Sequence, residues 1–145
     1  MAIQLGWYLE DRVLYERYYH HVTIEELTRM SHQSHSLHHR AAAPMHTLID
    51  LSDVKSFPTN LSRVQAAITL PTAIERGWMV VIIPEGNVLL QFVAAYAAQI
   101  RATNARYRMF RSLSTAVDFL NVTDPQLNLA HTASVRYLQA LQPVV

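Results

Sequence analysis

The chain has no cysteine, three glycines and a single lysine, Lys55, among its 145 residues. The first absence excludes disulfides, thiolate metal sites and thiol nucleophiles, and it fits a reducing compartment. So few glycines leave little with which to build a phosphate cradle, and neither the dinucleotide-binding pattern nor the P-loop pattern occurs. A surplus of one charge sign is missing too. Twelve Lys+Arg face eleven Asp+Glu, a net +1, so nothing pulls the chain toward nucleic acid or an anionic membrane. The longest apolar candidate, Val88 to Ile100, is broken by Gln91 and Gln99 and is too short to cross a bilayer. Met1 to Gly6 lacks the basic start and apolar run of a signal peptide. No nucleophile elbow with a Ser–His–Asp order is present. The expectation is a cytoplasmic, non-enzymatic protein without a cofactor.

What is present suits one compact domain: 50% of the residues are hydrophobic and only 16% charged. Thr47 to Val54 reads as a buried strand, Met45–Leu51, that ends in a polar turn, and Trp78 to Ile83 as another. Helical patterns lie between and after them, the grammar of a mostly parallel sheet covered by helices. Ile3–Tyr8 and Arg12–Tyr19 form an N-terminal hairpin around Glu10-Asp11. Neither face of its second strand is wholly apolar, so one side is expected to be partly wet.

Thr23 and Glu26 make a capping box for a helix with Leu27, Met30, Ser34, Leu37 and Ala41 inward. Asn60 caps the next helix, which turns Leu61, Val64, Ile68 and Ile74 inward and should kink near Pro71. Asn87 to Thr103 is a third helix, with Leu89, Phe92, Val93, Tyr96 and Ile100 expected toward the core. Its Ala94, Ala95, Ala97 and Ala98 let it lie close to the sheet. Tyr107–Phe110 is a last strand, and Ser114 caps a helix Thr115–Asn121. Asp124-Pro125 reads as the start of a final helix reaching Leu141, with Leu127, Ala130, Ser134, Tyr137, Leu138 and Leu141 as its stripe. The expected fold is α/β, a four- or five-stranded mixed sheet with Thr47–Leu51 and Met79–Ile83 as adjacent parallel inner strands. Residues 1–122 form the domain. Residues 123–145 form a helical extension packed on it or on a second subunit, which would make a homodimer.

This order of elements, with Leu48-Ile-Asp-Leu-Ser-Asp-Val54 and Phe110-Arg-Ser-Leu-Ser-Thr-Ala-Val-Asp-Phe-Leu120, resembles the STAS-like fold of anti-sigma factor antagonists, the SpoIIAA-like branch most closely. The resemblance covers about residues 3–121. It implies a regulatory module that docks a protein partner through the loop Ser52–Asn60 and the helix start that follows, with Ser52, Asp53, Thr59, Asn60 and Ser62 on the working surface. Phosphorylated members carry a serine in an Asp-Ser-Ser-Gly run at that helix start. Here the run is Phe57-Pro-Thr-Asn-Leu-Ser62, so Thr59 or Asn60 holds the corresponding position, the glycine is missing, and Thr59 and Ser62 are the hydroxyls that could take a phosphate. A phosphate there would gain from the helix N-terminus.

Other features have plainer readings beside the sharp ones. His32, His35 and His39 fall within about 60° of one another on a helix, and His35 and His39 have the i, i+4 spacing of a metal pair. No Cys or Glu joins them, and a solvated polar face accounts for all three. Asp50, Ser52 and Asp53 sit at the carboxyl end of a central strand, where open α/β sheets place ligands, or else they satisfy turn backbone. His46 and Asp50 share a strand face but stand about 13 Å apart. Arg101, Arg106, Arg108 and Arg111 flank the last strand without the aromatic platform of an RNA site; edge protection explains Arg106 and Arg108 equally well. Tyr15, Tyr18 and Tyr19, near Trp7 and Tyr8, are core packing or a protein interface. The rival to a partner-docking module is a small-ligand binder with an apolar pocket of several hundred Å³ between helices and sheet.

Overall fold

The computed structural model describes residues 2–40, 45–68, 76–101, 106–129 and 142–143, without the side chains of residues 38–40, 76, 101, 142 and 143. Its elements run β1 (Ile3–Leu9), β2 (Val13–His21), α1 (Ile24–Arg40), β3 (Met45–Ser56), α2 (Leu61–Ile68), β4 (Arg76–Ile82), α3 (Val88–Arg101), β5 (Arg106–Phe110), α4 (Leu113–Thr123) and a two-residue β6 (Gln142–Pro143). The sheet order is β5-β4-β3-β2-β1-β6. β1 pairs antiparallel with β2 and β6, and every step from β2 to β5 is parallel. The inner parallel pair β3–β4 is therefore as the two apolar runs imply.

Three parallel steps in one direction dictate the layering. Right-handed crossovers between strands that advance the same way put their helices on one face. Accordingly Leu27 and Met30 of α1, Val64 and Ile68 of α2, and Leu90, Ala94 and Ala98 of α3 share one core with Leu14, Ile49, Met79 and Val81 of the sheet. α4 follows the last strand and turns back over the opposite face. There Ala116, Val117 and Leu120 pack on Leu48, Val80 and Ile82, joined by Tyr8, Val13, Tyr15, Leu127 and Leu129. Side chains alternate across a strand, so Leu48 and Val80 enter one core and Ile49 and Val81 the other.

Local chemistry fixes several boundaries. The hairpin closes with Arg12 N–H donating to Leu9 O at 3.0 Å, and Asp11 takes φ 61°. The Thr23–Glu26 capping box forms in both directions: Glu26 N–H donates to Thr23 Oγ1, and Thr23 N–H donates to Glu26 Oε2 at 3.0 Å. Asn60 and Asn87 cap α2 and α3 by accepting from Arg63 N–H and Leu90 N–H.

Four expectations are corrected. β3 does not stop at Leu51, because β2 goes on pairing with it through Tyr19↔Asp53, His20↔Val54 and His21↔Ser56 across two register shifts. α4 is capped by Ser112, not Ser114: Ser112 Oγ accepts from Thr115 N–H at 3.2 Å. α3 is rotated, with Leu90, Val93, Ala94 and Ala98 buried while Leu89 and Phe92 face solvent. One side of β2 is partly wet, as its sequence implies: Arg17 and Tyr19 are half-buried, whereas Glu16 on the other side is fully buried and accepts from Tyr18 Oη at 2.9 Å and from Ser34 Oγ. Asp124-Pro125 does not open a helix. Asp124 is the C-cap of α4, and Leu127 N–H donates back to Asp124 O. The carboxamide of Asn121 then clamps the backbone of Leu129, 2.6 Å from its N–H and 3.0 Å from its carbonyl. The kink near Pro71, Ile74 and Ala41, and the stripe from Ala130 to Leu141, lie outside the described residues.

Candidate functional site

Each parallel strand ends where a helix begins, so the N-termini of α1, α2, α3 and α4 gather at the carboxyl end of the sheet. Open α/β sheets bind ligands at this end. The residues singled out at the end of β3 divide into two groups. Ser52 donates both its N–H and its hydroxyl to Asp50 Oδ1, at 3.0 and 2.6 Å. Asp53 pairs with Arg17 at 3.2 Å. Both residues are exposed, yet both are tied into the irregular β2–β3 pairing and belong to a strand, not to the loop. The loop proper is 57–60. Thr59 and Asn60 are exposed there, with Asn60 committed to capping α2, and Ser62 is exposed on the first turn of that helix.

Two polar clusters reach into the second core. At the carboxyl end Tyr15 Oη donates to Asp50 Oδ2 at 2.8 Å. Burial, then the nearby Asp50 charge, raises the Tyr15 phenol far above its ordinary range, so it is a fixed donor. At the amino end Trp78 N–H donates to His46 Nδ1 at 2.9 Å, and His46 Nε2 lies 3.2 Å from Asp124 Oδ2. Arg12 meets the same carboxylate oxygen at 2.8 Å. With Nδ1 accepting, the ring proton sits on Nε2 and points at Asp124. Burial lowers the His46 pKa below 6.5 and outweighs the upward pull of Asp124. His46 and Asp50 are therefore not brought together. Ser52 pairs with Asp50 and His46 with Asp124, about 20 Å apart along β3, so these groups form no Ser–His–Asp relay.

The helical histidines do not share one environment. His32 is exposed and His35 half-buried, while the His39 side chain is outside the described set. Among the described residues no three His, Cys, Asp or Glu side chains are grouped to hold a metal. Nor, among the described residues, is any helix long and apolar enough to cross a membrane. Tyr8, Tyr15 and Tyr18 are buried in the two cores, which removes them as an interface. Between α1, α2, α3 and the sheet lies an apolar cavity of about 30 Å³, lined by Leu27, Met30, Phe57, Ile68, Ala94 and Ala98 among others. That holds a water or two, against the roughly 300 Å³ or more of a ligand pocket.

The surface that sequence reasoning missed is on α3. Val88, Leu89 and Phe92 are 80%, 64% and 62% exposed. From Val88 to Ile100 the helix carries no charged residue. A helix apolar on both sides is normally covered on both. The charge-free run from Val88 to Ile100 is the sequence signal for it, since one apolar stripe turned inward leaves the other face apolar as well. Compared with known proteins, the chain matches no family model, no curated protein and no solved structure.

Proposed function

We propose that this protein is a non-enzymatic cytoplasmic regulatory module, of the STAS-like, SpoIIAA-like kind, that works by docking a protein partner. The observation that carries the reading is the exposed, charge-free start of α3, with Val88, Leu89 and Phe92 in its first two turns. Apolar side chains clustered on a surface mark interaction sites, and aromatic anchors supply much of the energy at such sites. The patch lies at the same end of the sheet as Thr59, Asn60 and Ser62. The rival reading, a small apolar ligand held under the helices, has a suitable lining, but the cavity has too little room unless α1–α3 part.

The test is retention of a partner by the purified chain from its own cells, quantified by mass spectrometry, for wild type against Leu89→Ser/Phe92→Ser. Both side chains face solvent, so the far-ultraviolet circular dichroism should not change. Loss of one co-purifying protein with unchanged fold supports the reading. Equal retention by both chains would remove this surface from the function.

A further inference from the structure

The outer border of the sheet suggests what kind of partner segment fits. β5 ends the strand order, so among the described residues its outer edge has no strand beside it. Such an edge offers a row of backbone donors and acceptors to any strand that can approach. Its side chains alternate. Arg106 and Arg108 lie on the α4 side, with Arg106 4.9 Å from the Trp78 ring centroid and Arg108 5.1 Å from that of Phe119. Neither guanidinium has a carboxylate partner among the described residues, whose ion pairs are Arg12–Asp124, Arg17–Asp53 and His46–Asp124. Tyr107, 41% exposed, lies on the α3 side.

The apolar stripe of α3 continues this border. Ala94 and Ala98 face a cavity shared with Phe57 and Ile68, on the α2 side of the helix. Leu89 stands about 140° from Ala94 and about 180° from Ala98 around the helix. Leu89 therefore turns away from α2, toward the β5 border, and Phe92 beside it. The border is apolar on one side of the free edge and basic on the other. No acidic residue lies on α3 or β5.

We infer that the β5 edge accepts an extended segment of a partner protein whose side chains alternate acidic and apolar, the acids meeting Arg106 and Arg108, the apolar residues meeting Tyr107 and Leu89. The inference rests on the docking function proposed above and names the chemistry of what docks. A second copy is the wrong occupant. Antiparallel β5–β5 pairing would set the arginines of both chains on one face, opposite or diagonal to each other, where like charges repel. Strand addition obtains affinity from the main chain and selectivity from alternate side chains, which is the pattern this border carries.

The probe is a fluorescein-labelled peptide of about eight residues alternating Glu and Val, a usual strand length, with a Lys/Val peptide as control. Anisotropy should show binding of the acidic peptide only, weakened about tenfold or more by Arg106→Glu/Arg108→Glu and by added salt. The reversed variant should instead take the Lys/Val peptide, and backbone amide shifts on binding should concentrate at Arg106–Phe110. Equal binding of both peptides, or none at millimolar concentration, overturns the inference. So does arginine-dependent binding to anionic vesicles without peptide binding, or a sedimenting dimer dissolved by Leu89→Ser/Phe92→Ser. If partner retention is lost in Leu89→Ser/Phe92→Ser but kept in Arg106→Glu/Arg108→Glu, docking stands and the acidic strand falls. If both variants keep the partner, both readings fall.

Discussion

His46 shows how one side chain can constrain its neighbours. Its ring lies against Gly77 so closely that a Cβ there would stand 2.5 Å from Nδ1 and 2.8 Å from Cε1. Gly77→Ala should cost about 1–3 kcal/mol by overpacking, measured by urea unfolding. In a His46→Ala background most of that penalty should vanish, and a cycle with no coupling would show that the contact is not what Gly77 serves. The same ring gives stability a pH dependence. Its folded pKa lies below the unfolded value of 6.5, so the unfolded chain binds the extra proton first. The contribution is complete above about pH 6.5 and declines as pH falls from there through the lower folded pKa. His46→Gln keeps an acceptor for Trp78 N–H without titrating. The stability difference between wild type and this variant should shift against wild type on acidification, and a difference constant with pH would refute the linkage.

At the scale of elements, α3 offers a matched comparison. Leu89 and Leu90 are adjacent and identical, but one is exposed and the other buried. Leu90→Ala should destabilise by about 2–5 kcal/mol and Leu89→Ala by no more than about 0.5 kcal/mol. Equal losses would put both faces of the helix in the folding core. The reason Leu89 was expected inward is plain. Leu89, Phe92, Val93 and Tyr96 recur at helical spacing as well as Leu90, Val93, Ala94 and Ala98 do. Periodicity alone favours the larger side chains. The sheet selects the smaller ones, because alanines let the helix approach closely.

The whole molecule is a sheet with two cores of unequal cover. Three helices close one face, whereas α4 with Leu127 and Leu129 closes the other. The segment after α4 is tied down by Asn121, by the Arg12–Asp124–His46 contacts and by β6 beside β1. Deleting residues 123–145 should therefore lower the melting temperature by about 5 °C or more and expose the Tyr8–Val13–Leu48 side of the sheet. A thermal melt and a sedimentation run check this together; an unchanged melting temperature and mass would show the segment to be dispensable.

The sequence by itself determined the alternation of strands and helices, the inner parallel pair, the hairpin and the Thr23 and Asn60 caps. These follow from interactions within a few residues, or from apolar runs long enough to demand burial on both sides. Tertiary structure decided the rest. β3 continues past Leu51 because β2 is there to pair with it. Glu16 is buried because Tyr18 and Ser34 meet it, and Tyr15 and His46 find Asp50 and Asp124 from 35 and 78 residues away. Asp124-Pro125 has the composition of a helix start, yet Asp124 closes α4, since the chain there must turn to bury Leu127 and Leu129. The face of α3 left to solvent was settled by which side chains fit the sheet. Local pattern specifies elements; only their packing specifies which surface remains for a partner.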